Sequence, residues 1–220
     1  MLLPLFPLNL VLFPGMPQRL HIFEDRYQVM IRDCIEKKQP FGIVLIAEGN
    51  AEFGPLATPY MVGTTAQIVE VQELPFGRMN ILTIGQERFR IREMHHDKPY
   101  LVGDVDFIPF SNIGADPAEL RDKGRRLRIL LERYLNLLAK AGSIDFDKSQ
   151  MPQEPDSLAH LAAGIVQVES EQKQTLLESE DMVQYLQELV LLYRLEIALL
   201  NVMLSPPQFE EVDGIPFSEN

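Results

Sequence analysis

Pro4, Pro7 and Pro14 punctuate an N-terminal stretch, Leu2–Met16, that is otherwise almost wholly apolar. A proline removes a backbone donor and clashes with the helical turn before it. It also pushes the preceding residue toward extended geometry. A membrane-spanning helix needs about 20 apolar residues in one helical run, and prolines at this spacing forbid it. A secretory signal needs a basic segment ahead of its apolar core and a small-residue cleavage site; no Lys or Arg precedes Arg19, and no Ala-x-Ala pattern follows. The stretch therefore predicts short, buried, edge-type strands around Leu3, Leu5–Phe6 and Phe13, joined by proline kinks, with Pro14-Gly15 as a turn. Left exposed, a segment this apolar would be an aggregation hazard.

With 220 residues, 46% of them hydrophobic, the chain can build one large or two small cores. Its single cysteine, Cys34, excludes an internal disulfide and any multi-cysteine metal site. Absent a signal or a span, the expectation is a cytoplasmic protein with no membrane partner. The net charge of −12 is unevenly spread: residues 142–220 carry 15 acidic and 3 basic side chains, whereas residues 116–141 carry 4 and 7. Such an acidic C-terminal third repels nucleic-acid phosphates.

Residues 1–115 read as β-rich. Pro40–Gly49 is a continuous apolar run, as in a strand buried on both faces. Further strand patterns follow in 63–74, in 80–93 beyond a turn at Pro75–Arg78, and in 100–109. In the cleanest of these, Phe89 and Ile91 face one way and Arg88, Arg90 and Arg92 the other. In the last, Leu101, Val105 and Phe107 oppose Val102, Asp104 and Asp106. One inserted helix carries Tyr27, Met30, Ile31, Cys34 and Ile35 at helical spacing. At Ser111–Pro117 the period changes from two to about 3.6. Residues 116–204 predict a helical subdomain, with Leu127, Leu130, Leu131, Tyr134 and Leu138 on the stripe of its first helix. A loop at Gly142–Asp156, two short helices at Leu158–Val168 and Glu171–Glu178, and a long helix opened by Ser179 as N-cap come next. The long helix's stripe is Met182, Leu186, Leu189, Tyr193, Ile197, Leu200 and Leu204. Residues 205–220 form an acidic tail, expected to be flexible.

No phosphate-cradling Gly-x-x-x-x-Gly-Lys-Ser/Thr motif is present. His21 lies among apolar neighbours and reads as a structural histidine. His95 and His96 are adjacent on a strand pattern and would point to opposite faces, so they do not share a tetrahedral metal. His160 stands alone on a helix. Lys148 and Ser149 lack organised oxyanion donors around them. No catalytic, metal or cofactor site is therefore expected. The Arg88/Arg90/Arg92 face reads as a solvated strand face paired with acids such as Glu70 or Asp104; the alternative is an RNA-binding face.

Several separated motifs, in order, resemble the N-terminal substrate-recognition domain of Lon proteases. They are Leu-Pro-Leu at Leu3–Leu5, the hydrophobic run ending Phe-Pro-Gly at Val11–Gly15, and Leu-His-Ile-Phe-Glu-Asp-Arg-Tyr at Leu20–Tyr27. The Val-Gly-Thr strand at 62–64, the turn with Gly77-Arg78, Gly85-Gln-Glu-Arg-Phe-Arg90, and the segment Glu171–Met182 continue the match. The resemblance spans about residues 2–204. It implies an α+β fold: a β-rich, PUA-like pseudo-barrel with one inserted helix, then a helical subdomain ending in a long helix. It also implies engagement of substrate polypeptides and a part in subunit assembly. The ATPase and protease modules of Lon would begin where this chain stops, so the expectation is a free-standing, non-enzymatic recognition or adaptor module. Expected partners are unfolded or exposed apolar polypeptide segments, a separate protease or ATPase, and a weak homo-oligomer, with no nucleic acid. Exposed apolar residues of the segment Glu52–Met61 and of the following turn give the candidate contact patch: Phe53, Leu56, Tyr60, Met61 and Phe76. Glu24 and Arg26 read as structural, tying the first helix to the barrel.

Overall fold

The computed structural model describes residues 1–49, 57–111, 116–142, 147 and 151–204. Strands β1 (Leu2–Leu8), β2 (Pro17–Ile22), β3 (Phe41–Glu48), β4 (Thr58–Glu73), β5 (Met79–His95) and β6 (Leu101–Phe107) form one sheet, and helix α1 (Asp25–Lys37) is inserted after β2. The strand order is β2-β5-β4-β3-β1-β6, and β6 pairs back onto β5. β2 takes the first half of β5, through Met79–Ile84, and β6 the second half, through Phe89–His95. The long β5 thus closes a ring through β4, β3, β1 and β6 while β2 hangs from its other half. Helices α2 (Pro117–Lys140), α3 (Pro155–Ile165), α4 (Ser170–Glu178) and α5 (Met182–Leu204) follow.

Period-two alternation builds the barrel. Leu3, Leu5, Val44, Phe89, Ile91, Leu101 and Val105 form the inner cluster. Phe89 is fully buried, and its ring tip lies 2.6 Å from where a Cβ on Gly42 would sit and 2.8 Å from one on Gly63. Only glycines on the two neighbouring strands leave room for that ring. Outside the ring, Phe6, Phe41 and Ile43 pack with Tyr27, Met30, Ile31 and Cys34 of α1. Burial there pushes the Cys34 thiol up to about 11, so it stays protonated. Arg26 pairs with Glu24 at 2.8 Å and lies over the Tyr27 ring, and Tyr27 meets Phe6 of β1 at 4.1 Å. Irregularities of register at Thr64/Ala66 and Ile68/Glu70 bend β4. As a result Val62 joins the helical core and Ala66 the α1 core.

Several expectations need correction. β1 is not an edge strand: it pairs with β6 through Leu2–Leu5 and with β3 through Leu5–Leu8. Those ladders overlap only at Leu5, so Pro4 and Pro7 each lie where the strand has one neighbour, and the missing donors cost no ladder bond on a second side. Phe13 lies in no strand; it leaves the sheet and packs in the helical core. Ile35 is exposed at the rim of α1, and Phe107 emerges from the sheet at the end of β6. Ser179 does not open α5. It terminates α4, and Asp181 caps α5 by accepting the Gln184 N–H at 2.7 Å. Leu204 is exposed at the last turn of α5. Helix α3 begins three residues earlier than expected because Pro155 occupies its first turn. The tail 205–220 and residues 143–146 and 148–150 of the Gly142–Asp156 segment lie outside the described residues; Met151 is buried in the helical core.

Replacing Phe89 with Ala should lower unfolding free energy by about 3–5 kcal/mol. Gly63→Ala should cost about 1–3 kcal/mol by overpacking, since its Cβ would come within 2.5 Å of the Ile43 carbonyl. Denaturant midpoints measure both.

Candidate functional site

Arg88 follows Glu87 and precedes Phe89 on β5, so its side chain leaves the barrel on the side facing the helices. It is not solvated: only 4% of it is exposed. Its Nη1 donates to the carbonyls of Leu177, at 2.9 Å, and of Ser179. Those carbonyls close α4, where the helix dipole is negative. The guanidinium also lies 3.7 Å from the centre of the Phe110 ring, a cation–π arrangement. Burial pulls its pKa below the ordinary guanidinium value. Further bonds cross the same seam: the Gln174 amide donates to the Val62 carbonyl at 3.0 Å, and the Ser111 N–H to the Glu180 carbonyl at 2.7 Å. Around Phe110 stand His160, stacked at 5.4 Å, and Tyr185, at 5.0 Å. Arg88 Nη2, His160 Nδ1 and Tyr185 Oη are all buried there without a hydrogen-bond partner among the described residues. Burial, and then the Arg88 charge, lower the His160 pKa to about 4, and burial pushes the Tyr185 hydroxyl up. His160 is therefore neutral at physiological pH.

This seam forms the floor of a cleft of about 1460 Å³ between the sheet and α3. The Pro14–Pro17 turn and Ile84–Arg88 form one wall, Phe107–Phe110 the end, and the first turns of α3 with Leu161 and Ile165 the other wall. Met16 reaches across to α3, 2.7 Å from where a Cβ on Gly164 would lie. Small-molecule pockets occupy about 300–1,000 Å³, so this volume suits a longer occupant. Phe107, 42% exposed, is its most accessible aromatic. The cleft could bind apolar groups by surface burial. Among the described residues, no set of three or more His, Cys, Asp or Glu could hold a metal ion.

The candidate patch divides. Phe53 and Leu56 lie outside the described residues. Tyr60 and Met61 are in the first residues of strand β4 rather than in a loop, because pairing with β3 begins at Thr58 and pairing with β5 at Val62. Phe76 lies in the turn Pro75–Gly77, beyond the far end of the same strand and fifteen residues on from Met61. Its ring is 89% exposed on a residue with φ of 64°, a left-handed conformation that a bulky side chain seldom adopts. The arginine face also divides. Arg88 is internal, Arg90 pairs with Glu180 at 2.7 Å and Arg92 with Asp106 at 2.6 Å. The partners expected for them, Glu70 and Asp104, are not the ones used. His21 is hydrogen-bonded to Asn80 at 2.7 Å. Sequence reasoning did not find the cleft, whose walls come from separated segments. Its one readable sign was Phe110, apolar beyond the end of the alternation that Phe107 closes.

The chain matches the ATP-dependent protease La (LON) substrate-binding domain over residues 2–193. It belongs to the Lon substrate-binding domain family. Lon protease 2 of Myxococcus xanthus is 28% identical over 82% of this chain, and the Lon protease of Syntrophus aciditrophicus is 28% identical over 96% of it. The chain spans 22% and 28% of the length of those relatives. The crystal structure of the Lon N-terminal domain protein from Xanthomonas campestris superposes with a TM-score of 0.64 at 26% identity, covering 87% of this chain and 98% of that one. The N-terminal domain of the Mycobacterium avium complex Lon protease shares the fold, with a TM-score of 0.67 at 18% identity. The α+β architecture is thus that of the Lon N-terminal domain. Among the described residues no helix is long and apolar enough to cross a membrane.

Arg88→Met should destabilise by about 3 kcal/mol, because two buried carbonyls lose their donor. Arg90→Ala and Arg92→Ala should stay within about 0.5 kcal/mol; urea unfolding of the three variants separates the two cases. A second expectation concerns acid. The folded-state pKa of His160 lies below its unfolded value of about 6.5, so the unfolded chain binds the extra proton first. Its contribution is fully present above pH 6.5 and is lost as pH falls to about 4. The size is on the order of 3 kcal/mol. His160→Phe should remove that part of the pH slope in unfolding measured between pH 7 and 4.

Proposed function

We propose that this chain is a non-enzymatic recognition module that holds exposed apolar segments of other polypeptides in the cleft between β5 and α3. The carrying observation is the cleft itself: about 1460 Å³ and walled by the apolar Met16, Ile84, Phe107, Ile108, Leu161 and Ile165. Burial of apolar side chains there is worth roughly 25 cal/mol per Å² of area removed from water. Membership of a substrate-binding family supports the same reading. The cleft lies at the junction of a β-rich unit, residues 1–115, and a helical unit, residues 116–204, which we treat as its two subdomains. Tyr60 and Met61, at the start of β4, and Phe76, in the turn after it, remain accessory contacts. We take the setting to be cytoplasmic and the partners to include a separate protease or ATPase, in line with Lon relatives. The RNA reading has no comparable support, since Arg88 is internal and Arg90 and Arg92 are paired with acids.

A single module lacks the avidity of linked copies, so its affinity should be modest. Titration of fluorescent unfolded casein should show saturable binding, weakened several-fold by Phe107→Ser, with no signal for labelled RNA at moderate salt. Weakening by Phe76→Ser and not by Phe107→Ser would move the site to the β4–β5 turn. Absence of casein binding would defeat the reading.

A further inference from the structure

The charged groups of the cleft have a one-sided arrangement. Among the described residues lining it, the charged side chains are Glu87, Glu154, Asp156 and Arg88. Glu87, on β5, and Glu154 and Asp156, at the start of α3, are all exposed, so the acids stand at the rim on both walls. Arg88 is on the floor, almost sealed from water, and its Nη1 is engaged by the Leu177 and Ser179 carbonyls. Arg128 of α2 donates to the Pro152 carbonyl, and Lys173 of α4 to the Gly164 carbonyl at 3.1 Å. Among the described residues lining the cleft, an occupant therefore meets carboxylates at both lips and no free cation. Asp156 is partly occupied as well, accepting the Ser157 N–H at 2.7 Å. Glu154 makes no side-chain capping bond to α3, although it precedes the helix. Among the described residues neither Glu87 nor Glu154 forms an ion pair.

From this complementarity we propose that the cleft selects apolar polypeptide segments flanked by Lys or Arg. The apolar stretch lies along Met16, Phe107 and Leu161, and basic residues on its two sides meet Glu87 on one lip and Glu154 on the other. The inference rests on the polypeptide-binding reading above and adds to it the charge of the segment. Apolar area supplies the affinity; the rim supplies discrimination, because a carboxylate brought between two others is repelled over distances that salt screens only beyond about 8 Å. The chain's net charge of −12 adds long-range attraction for a basic segment and speeds encounter.

The test uses three labelled peptides with one common apolar and aromatic core, flanked by Lys, by Ser or by Glu, titrated by fluorescence anisotropy at low and moderate salt. The Lys-flanked peptide should bind about tenfold more tightly than the Glu-flanked one at low salt, with the Ser-flanked peptide between them and the spread narrowing as salt rises. In the double variant E87Q/E154Q the Lys-to-Glu affinity ratio should fall several-fold. Equal binding of all three peptides would overturn the inference and leave the polypeptide-binding reading intact. A ratio unchanged in E87Q/E154Q would overturn it too, since the preference would then come from the overall charge and not from the rim. Binding of none of the three would overturn the underlying reading instead.

Discussion

Two adjacent residues on β5 hold the molecule together by pointing in opposite directions. Phe89 plugs the barrel against Gly42 and Gly63, while Arg88 passes outward to the end of α4 and stacks on Phe110. A strand forces that opposition on any neighbouring pair, so one backbone segment serves the inside of the sheet and the helical layer at once. A buried guanidinium is costly unless its donors are met. Here the acceptors are carbonyls at a helix C-terminus, where partial negative charge is already concentrated. The helical layer is therefore fixed to the sheet at a definite place, and Gln174 and Ser111 extend the contact along the same line.

A cleft follows from that attachment. The helices are seated on the sheet through Arg88, Val62 and Phe13, and α3 stands off from the Pro14–Pro17 turn with only Met16 reaching across. Apolar side chains at the seam that are not needed for packing between the layers are left to line the gap. Arg88 on its floor is engaged by the Leu177 and Ser179 carbonyls and by the Phe110 ring, so the charge there is spoken for. What remains open to a partner is apolar wall and acidic rim. That combination suits a polypeptide segment better than a phosphate-bearing ligand.

Much of the secondary structure was legible. Alternation in 87–93 and 100–109 gave strands of whose inward residues Phe89, Ile91, Leu101 and Val105 are found inside the barrel, whereas Phe107 is exposed. The stripe Leu127, Leu131, Tyr134, Leu138 gave the buried face of α2, and Met182, Leu186, Leu189, Tyr193, Ile197 that of α5. The motifs from Leu3 to Tyr27 pointed to the Lon N-terminal fold. Errors arose where pattern carries no tertiary information. Pro4 and Pro7 suggested an edge because proline cannot donate, yet β1 is flanked on both sides by partners that divide its length. Ser179 resembled a cap, but its place was taken by Asp181. Periodicity placed Arg88 with Arg90 and Arg92, which is correct for the face of the strand and wrong for its surroundings.

What the sequence by itself determined was local: which segments extend, which coil, which side of each is apolar, and that no proline-broken N-terminal run could become a membrane helix. Those properties depend on backbone sterics and on the period of side chains along one element, and both are written in neighbouring residues. Tertiary structure decided the rest. Whether Arg88 meets water or a helix end, whether Tyr60 and Phe76 share a patch, and whether Pro14, Phe107 and Leu161 face one cleft are all questions of distance between segments remote in sequence. Burial and charge environment arise only when those segments meet, so the buried arginine and the acid-rimmed cleft had no signature in any one stretch of the chain.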